Sequence, residues 1–257
     1  MPERKAPAPY GVLILTLPGQ GAPYSPKVPL HYFDKNRDAG AVRDALTKWF
    51  TLWSIALDTG VAPSGFLENN TREIPWCDEV PEHLHGPQTI PYFATHASRV
   101  LEALKTYRPR VIIVLSAYLY EALGTAPLNR FVTELLGPAK GPARRITTMR
   151  LKALAQSFAE CEMVVLPTPS KNTTPEFVKS LALGVKDAFK KAGIPFEETA
   201  TLTLEKARRL VYIDEAATLR AYERELGLRP EEAKRLLKRL EGEVFERTSQ
   251  LDKPHLL

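Results

Sequence analysis

Cysteine is scarce in this 257-residue chain: there are two, Cys77 and Cys161, far apart and without metal-ligand spacing. Neither a disulfide framework nor a Cys/His zinc site can be built from them, and reduced thiols in a cytoplasm are the expectation. Long apolar runs are missing as well. None approaches the ~18–20 residues needed to span a bilayer, so no membrane partner is expected. The start, Met1-Pro2-Glu3-Arg4-Lys5-Ala6-Pro7, has no apolar signal core, which also points to a cytoplasmic location. Asparagine and glutamine are few, while Pro numbers 22 and the C-terminus is dense in Glu, Lys and Arg. That bias is seen in heat-adapted, thermostable proteins.

The usual catalytic signatures are absent too. There is no phosphate cradle ending in Gly-Lys-Ser/Thr, and Gly19-x-Gly21 is too short for a dinucleotide fingerprint. A Gly-x-Ser-x-Gly elbow is missing. The closest histidine pair, His83-x-His85, has no Cys or His partner spaced like a zinc site. Phosphotransferase, dehydrogenase and serine-hydrolase readings lose their main support, and no cofactor or metal is called for.

What is present is a set of short apolar runs divided by helical patterns. Gly11–Leu17, Val111–Leu115 and Met163–Leu166 read as buried strands, without the period-2 alternation of a half-solvated sheet. Helical spacing runs through residues 39–60 (Val42, Leu46, Trp49, Phe50, Trp53, Leu57), from about Pro91 to Tyr107, over Ala117–Gly124 and Pro127–Leu136, and over residues 174–192. Residues 61–92, rich in Pro, Asn and Asp, predict loops and short strands. Strands alternating with helices imply an α/β fold with a mostly parallel sheet covered on both faces.

Beyond Pro195 the pattern becomes almost purely helical over residues 203–246. We expect an α/β domain over 1–197 and a C-terminal helical hairpin over 198–257. A break at Gly227-Leu228-Arg229-Pro230 separates two helices, with Pro230 suited to a first helical position. The segment resembles a helix-turn-helix whose second helix carries Lys234, Arg235, Lys238 and Arg239.

Charge is unevenly spread. Residues 99–152 hold ten Lys/Arg against three Glu, whereas residues 34–82 hold five against nine acids. A basic middle is compatible with polyanion binding. The stretch Gly137–Arg145 reads as a basic loop, with Lys140, Arg144 and Arg145 as candidate DNA-phosphate contacts.

Two stiff loops leave buried strands: 18–26 after the first and 167–175 after the third. In a parallel sheet both fall on one edge, where open α/β sheets place ligand sites. Candidate substrate contacts there are Pro18, Gly19, Gln20, Tyr24, Phe33, Asn70, Ser170, Lys171 and Asn172. The aromatics offer faces for stacking a base, and the amide of Asn70 offers both donor and acceptor to a base edge.

This arrangement resembles the uracil-DNA glycosylase superfamily. Leu15-Thr16-Leu17-Pro18-Gly19 is similar to the Pro-Gly forms of its first loop, and Gln20-Gly21-Ala22-Pro23-Tyr24-Ser25 to its Gly-Gln-Asp-Pro-Tyr-His form. Leu166-Pro167-Thr168-Pro169-Ser170-Lys171-Asn172 is similar to its His-Pro-Ser loop, and Tyr107–Ala117 to its central strand. The resemblance covers roughly residues 10–192. It implies a three-layer α/β/α fold on a central four-stranded, mostly parallel sheet, acting on DNA without a cofactor.

The departures are chemical. The family's first-loop carboxylate or amide would fall on Thr16, Leu17, Gly21 or Ala22, depending on the branch, and its histidine falls on Thr168. A hydroxyl can donate a hydrogen bond to a departing base but carries no positive charge. Losing one such element costs ~10²–10⁴ in rate. Two expectations follow. In the first, the chain is an atypical DNA glycosylase that hydrolyses the N-glycosidic bond of a flipped damaged or modified base. Thr168 then stands in the catalytic site, and the acid comes from Asp34 or Glu68, or alternatively from Asp38 or Asp78. In the second, the fold keeps a nucleic-acid-binding surface and has lost catalysis.

Overall fold

The computed structural model describes residues 11–19, 40–57, 66–67, 70–170, 173–196 and 214–251, with side chains to 240 in the last segment. The chain divides into two compact units, Met1–Phe196 and Glu197–Leu257.

In the first unit, strand β1 (Val12–Thr16) is buried at every position, as are β3 (Val111–Val114) and β6 (Glu162–Val165). Successive side chains of a strand point to opposite faces, so strands buried throughout must be covered twice. Val12, Ile14, Val111, Ile113 and Val164 pack on one side, under helices Ala41–Leu52, Pro175–Ser180 and Ala182–Lys191. Leu13, Leu15, Ile112, Val114, Met163 and Val165 pack on the other, under helices Thr89–Thr95, Ser98–Tyr107, Ala117–Leu123 and Ala126–Leu136. The unit is α/β, with helices on both faces of the sheet.

The sheet is larger than expected. It has six strands in the order β2-β1-β3-β6-β5-β4 and is mixed. Strands β2 (Thr71–Pro75), β1, β3 and β6 pair parallel. Strands β5 (Leu154–Ser157) and β4 (Arg144–Arg145) continue it antiparallel beyond β6. The expectation of four strands is corrected. The free edge of β6 would leave a row of unpaired backbone groups, and the returning ribbon satisfies them. The basic stretch to Arg145 is therefore not all loop, since its last two residues form β4.

Two helical patterns are broken where one was expected. The helix ending at Thr95 stops at His96, and the next begins at Ser98. The pattern over 174–192 divides at Leu181, which ends one helix and precedes the next. Among the described residues, no helix is long and apolar enough to cross a membrane.

The second unit contains helices Glu215–Leu226 and Pro230–Leu251. Asp214 caps the first, accepting from the Ala216 amide at 3.0 Å, and Gly227 ends it in the left-handed conformation, φ 63°. Tyr222, Ala233, Leu237 and Leu240 form the core between the two helices. Glu232 accepts from the Arg229 amide and from its guanidinium, both at 3.0 Å. These contacts, with the Arg229 side chain first, lower the Glu232 carboxyl from its ordinary value to about 2. A depressed folded-state value means that the helix start gains stability above pH 4.5 and loses it as pH falls toward 2. Relative to the wild type, Glu232→Gln should flatten the loss of helical circular dichroism over that window. An identical acid profile would refute the assignment.

Candidate functional site

Because β2, β1, β3 and β6 are parallel, their carboxyl ends share one edge. The chain leaves β1 toward β2 on one side and leaves β3 toward β6 on the other. The crevice between β1 and β3 is thus the topological switch point, where open α/β sheets bind ligands. Strands β1 and β6 flank β3, so their exit loops lie two strand spacings apart, about 10 Å.

Three hydrogen bonds hold the floor of this crevice. The Leu115 amide donates to Leu15 O at 2.9 Å, and the Leu166 amide donates to Val114 O at 2.8 Å. The Thr168 hydroxyl then donates to Leu115 O at 2.7 Å and latches the exit loop of β6 onto the end of β3. The proton of the Thr168 hydroxyl is thus engaged by a backbone carbonyl. Beyond it, Thr173 Oγ1 accepts from the Ser170 amide at 3.0 Å and closes the turn.

At the β1 exit, Pro18 is half-buried and Gly19 is exposed at φ 71°, which allows the chain to turn away from the strand. Thr16, fully buried, has no hydrogen-bond partner for its hydroxyl among the described residues. Next to it, buried Ser116 caps helix Ala117–Leu123, its hydroxyl accepting from the Tyr118 amide at 3.2 Å, and Tyr118 stands 37% exposed at the rim. Between helix Ala41–Leu52 and the residues Pro169, Ser170, Thr173 and Pro175 lies a groove of about 480 Å³, lined from the helix by Asp44, Trp49 and Leu52 among others. Sites for small ligands are commonly of this size.

Loop 146–153 joins β4 to β5 at the same edge, since Leu154 pairs with Val165 at the end of β6. It is tied on one side by Thr147 Oγ1 to Ser180 Oγ at 2.9 Å, and on the other by Lys152 to Glu121 at 3.4 Å. Arg145 and Arg150 are exposed here, with the Arg145 guanidinium donating to Met149 O.

The structure therefore gathers Pro18, Gly19, Thr168, Ser170 and Arg145 at one edge and separates others from it. Asn70 precedes β2 at the opposite edge, and its side-chain amide donates to Phe66 O at 3.0 Å. Lys140 also lies at that far edge, its backbone amide bonded to Ser157 O beside Glu162, the first residue of β6. A strand of four residues spans roughly 13 Å, so neither side chain borders the crevice. Arg144 is ion-paired with Asp187. Partial burial alone would raise the Asp187 carboxyl, but hydrogen bonds and charge from Lys191 and Arg144 hold it below its ordinary value. Asp78 follows β2, three strand spacings or roughly 14 Å from the β6 exit, and pairs with Arg99 at 2.7 Å. Gln20, Tyr24, Phe33, Asp34, Asp38, Glu68, Lys171 and Asn172 lie outside the described residues.

Ser116, Tyr118 and Arg150 were not singled out from the sequence, and Thr16 was named only as a position at which the family's first-loop residue would fall. The only available signal was position: each follows or ends a buried strand, or sits in the short basic turn Met149-Arg150-Leu151-Lys152. Partial burial raises the Cys77 thiol, which Arg99 only partly offsets, and burial raises Cys161 strongly, so neither is a ready thiolate. Among the described residues no group of three or more His, Cys, Asp or Glu could hold a metal. No family model and no curated protein sequence matches the chain.

Proposed function

We propose that the α/β unit binds nucleic acid by receiving a base at the carboxyl edge of its sheet, and that it does not excise that base by the superfamily's route. The observation that carries this reading is the Thr168 hydroxyl at 2.7 Å from Leu115 O. Among the described crevice residues, a backbone latch occupies the position that the resemblance gives to the family's histidine. The resemblance to the uracil-DNA glycosylase superfamily supplies the nucleic-acid class. Exposed Arg145 and Arg150 supply charge for the flanking phosphates.

Binding to a short labelled oligonucleotide should weaken with salt. The double variant Arg145→Glu/Arg150→Glu should lower affinity about tenfold and reduce the slope of log K on log salt by roughly 0.9 per lost contact. Salt-independent binding, or an unchanged slope in the folded variant, would remove the proposal.

A second reading is base excision with an acid from Asp34 or Glu68. The buried, unpartnered Thr16 hydroxyl favours it, since a buried polar group calls for a partner. Oligonucleotides carrying uracil, hypoxanthine, xanthine, alkylated or hydroxymethylated bases decide between the two. Abasic sites on any of them establish excision, and a flat panel with intact binding establishes the first reading.

A further inference from the structure

We infer that the α/β unit holds a second site, at the amino edge of its sheet, whose ligand is a guanine nucleotide. This goes beyond the crevice reading, which concerns the opposite edge and other residues. The observation is a buried carboxylate with one open oxygen at the wall of a cleft. Glu162, the first residue of β6, is only 8% exposed. Its Oε2 accepts from the Ser157 hydroxyl at 2.7 Å. Its Oε1 accepts from none of the described residues, and the carboxylate makes no ion pair with any of them. Burying a carboxylate is costly unless its oxygens are bonded, so Glu162 calls for further donors.

Strand pairing sets the cleft on one face of the sheet. Glu162 lies opposite Ser157 and Ala155 opposite Arg144, and side chains at opposed positions share a face. With Lys140 and Lys191 these four line a cleft of about 480 Å³, a size common for small-ligand sites. Its charge is divided between two ends. Arg144 and Lys191 share one carboxylate, that of Asp187, and Lys140 makes no ion pair among the described residues. The cationic end therefore keeps a positive charge to spare. Strands β6 and β4 stand two spacings apart, about 10 Å, so a ligand that meets both ends holds its N–H donors well away from its anion. A free amino acid carries the two on one carbon and is too short. A carboxylate only accepts, with two lone pairs on each oxygen. Among the four DNA bases, guanine alone presents two adjacent N–H donors, its ring N–H and its exocyclic amine. Adenine and cytosine set a ring acceptor beside their amine, which a carboxylate repels. The phosphate of the nucleotide then meets Lys140 and Arg144 at the other end.

The test titrates the full chain calorimetrically with guanosine monophosphate, beside inosine and adenosine monophosphates. Inosine monophosphate lacks the exocyclic amine and should bind about tenfold more weakly. Adenosine monophosphate, with an acceptor turned to the carboxylate, should bind about 100-fold more weakly. Glu162→Gln turns one acceptor oxygen into a donor. It should weaken guanosine monophosphate about 30-fold and bring the three nucleotides to similar affinities. Three outcomes overturn the inference: no binding of guanosine monophosphate, equal affinity of the wild type for all three, or an unchanged affinity in folded Glu162→Gln. Glu162 also bonds Ser157 across the β5–β6 pair, so a variant at an exposed side chain is measured beside it. Lys140→Ala should bind guanosine monophosphate about fivefold more weakly and guanosine as the wild type does. If Glu162→Gln fails to fold, that split between nucleotide and nucleoside decides, and its absence refutes the site.

Discussion

Trp53→Ala is expected to cost about 3–5 kcal/mol of stability, the range found when a large aromatic is deleted from a packed core. Trp53 is fully buried just past helix Ala41–Leu52, with ring centroids 6.1 Å from Trp49 and 5.1 Å from Phe50. Its indole nitrogen donates to Val178 O at 2.9 Å and ties that helix end to Pro175–Ser180. Truncation removes the ring contacts and one of the two hydrogen bonds that Val178 O accepts, the other coming from the Leu181 amide at 3.1 Å. The same helix lines the 480 Å³ groove together with Pro169, Ser170, Thr173 and Pro175, so the damage should reach ligand binding as well. Guanidinium denaturation of the two proteins measures the effect. A loss below about 1 kcal/mol would mean that the site collapses freely, contrary to a close-packed layer.

Gly137→Ala is expected to be nearly as harmful although it adds one methyl group. Gly137 has φ 76° and ψ 176°, a region open essentially to glycine alone. A Cβ there would stand 2.5 Å from Ala159 Cβ. Ala159 cannot easily move, because its amide donates to Pro138 O at 3.0 Å while the next amide donates to Leu136 O at 3.0 Å. Conformational strain of about 1–3 kcal/mol and a clash of similar size both apply, giving about 4 kcal/mol. Gly19→Ala is the control. Its φ is also positive, at 71°, but none of the described residues lies within 4 Å of the added carbon, so roughly 1 kcal/mol is expected. Equal losses at the two positions would show that backbone conformation alone sets the cost.

The parts of the fold that could be read in the sequence are those with a single physical cause. Val12–Leu15, Val111–Val114 and Met163–Val165 are buried from both sides, and continuous apolar character is the direct consequence. β5 gave no such signal. Leu154-Ala155-Gln156-Ser157 is polar in half its positions, and those positions are satisfied from a distance. Gln156 accepts from Tyr120 at 2.9 Å, and Ser157 donates to Glu162 at 2.7 Å. β2 is similar: Arg72 lies over the Tyr107 ring at 4.7 Å and bonds its hydroxyl at 3.2 Å.

The candidate site was legible as an edge and not as a set of side chains. Parallel strands ending in Pro/Gly loops locate the crevice, but partner choice is tertiary. Nothing near Thr168 in sequence announces that Leu115 takes its proton. Nothing near Asn70 or Lys140 shows that each sits at the amino edge, because sequence distance from a motif does not report on which side of a sheet a residue lies.

The position of β1 in the sheet bears on how the chain acquires its structure. Val12 pairs with Thr71 on one side and Val111 on the other, and β3 in turn waits for Glu162. β1 thus finds its neighbours only about 60 and about 100 positions further along the chain. Such distant pairing makes folding slow and leaves apolar strands exposed in the meantime. The second unit has its two helices joined by three residues and can complete its hairpin from local contacts alone. During refolding, helical signal from that hairpin should precede burial of the tryptophans at 49, 53 and 76, all of which wait for the sheet.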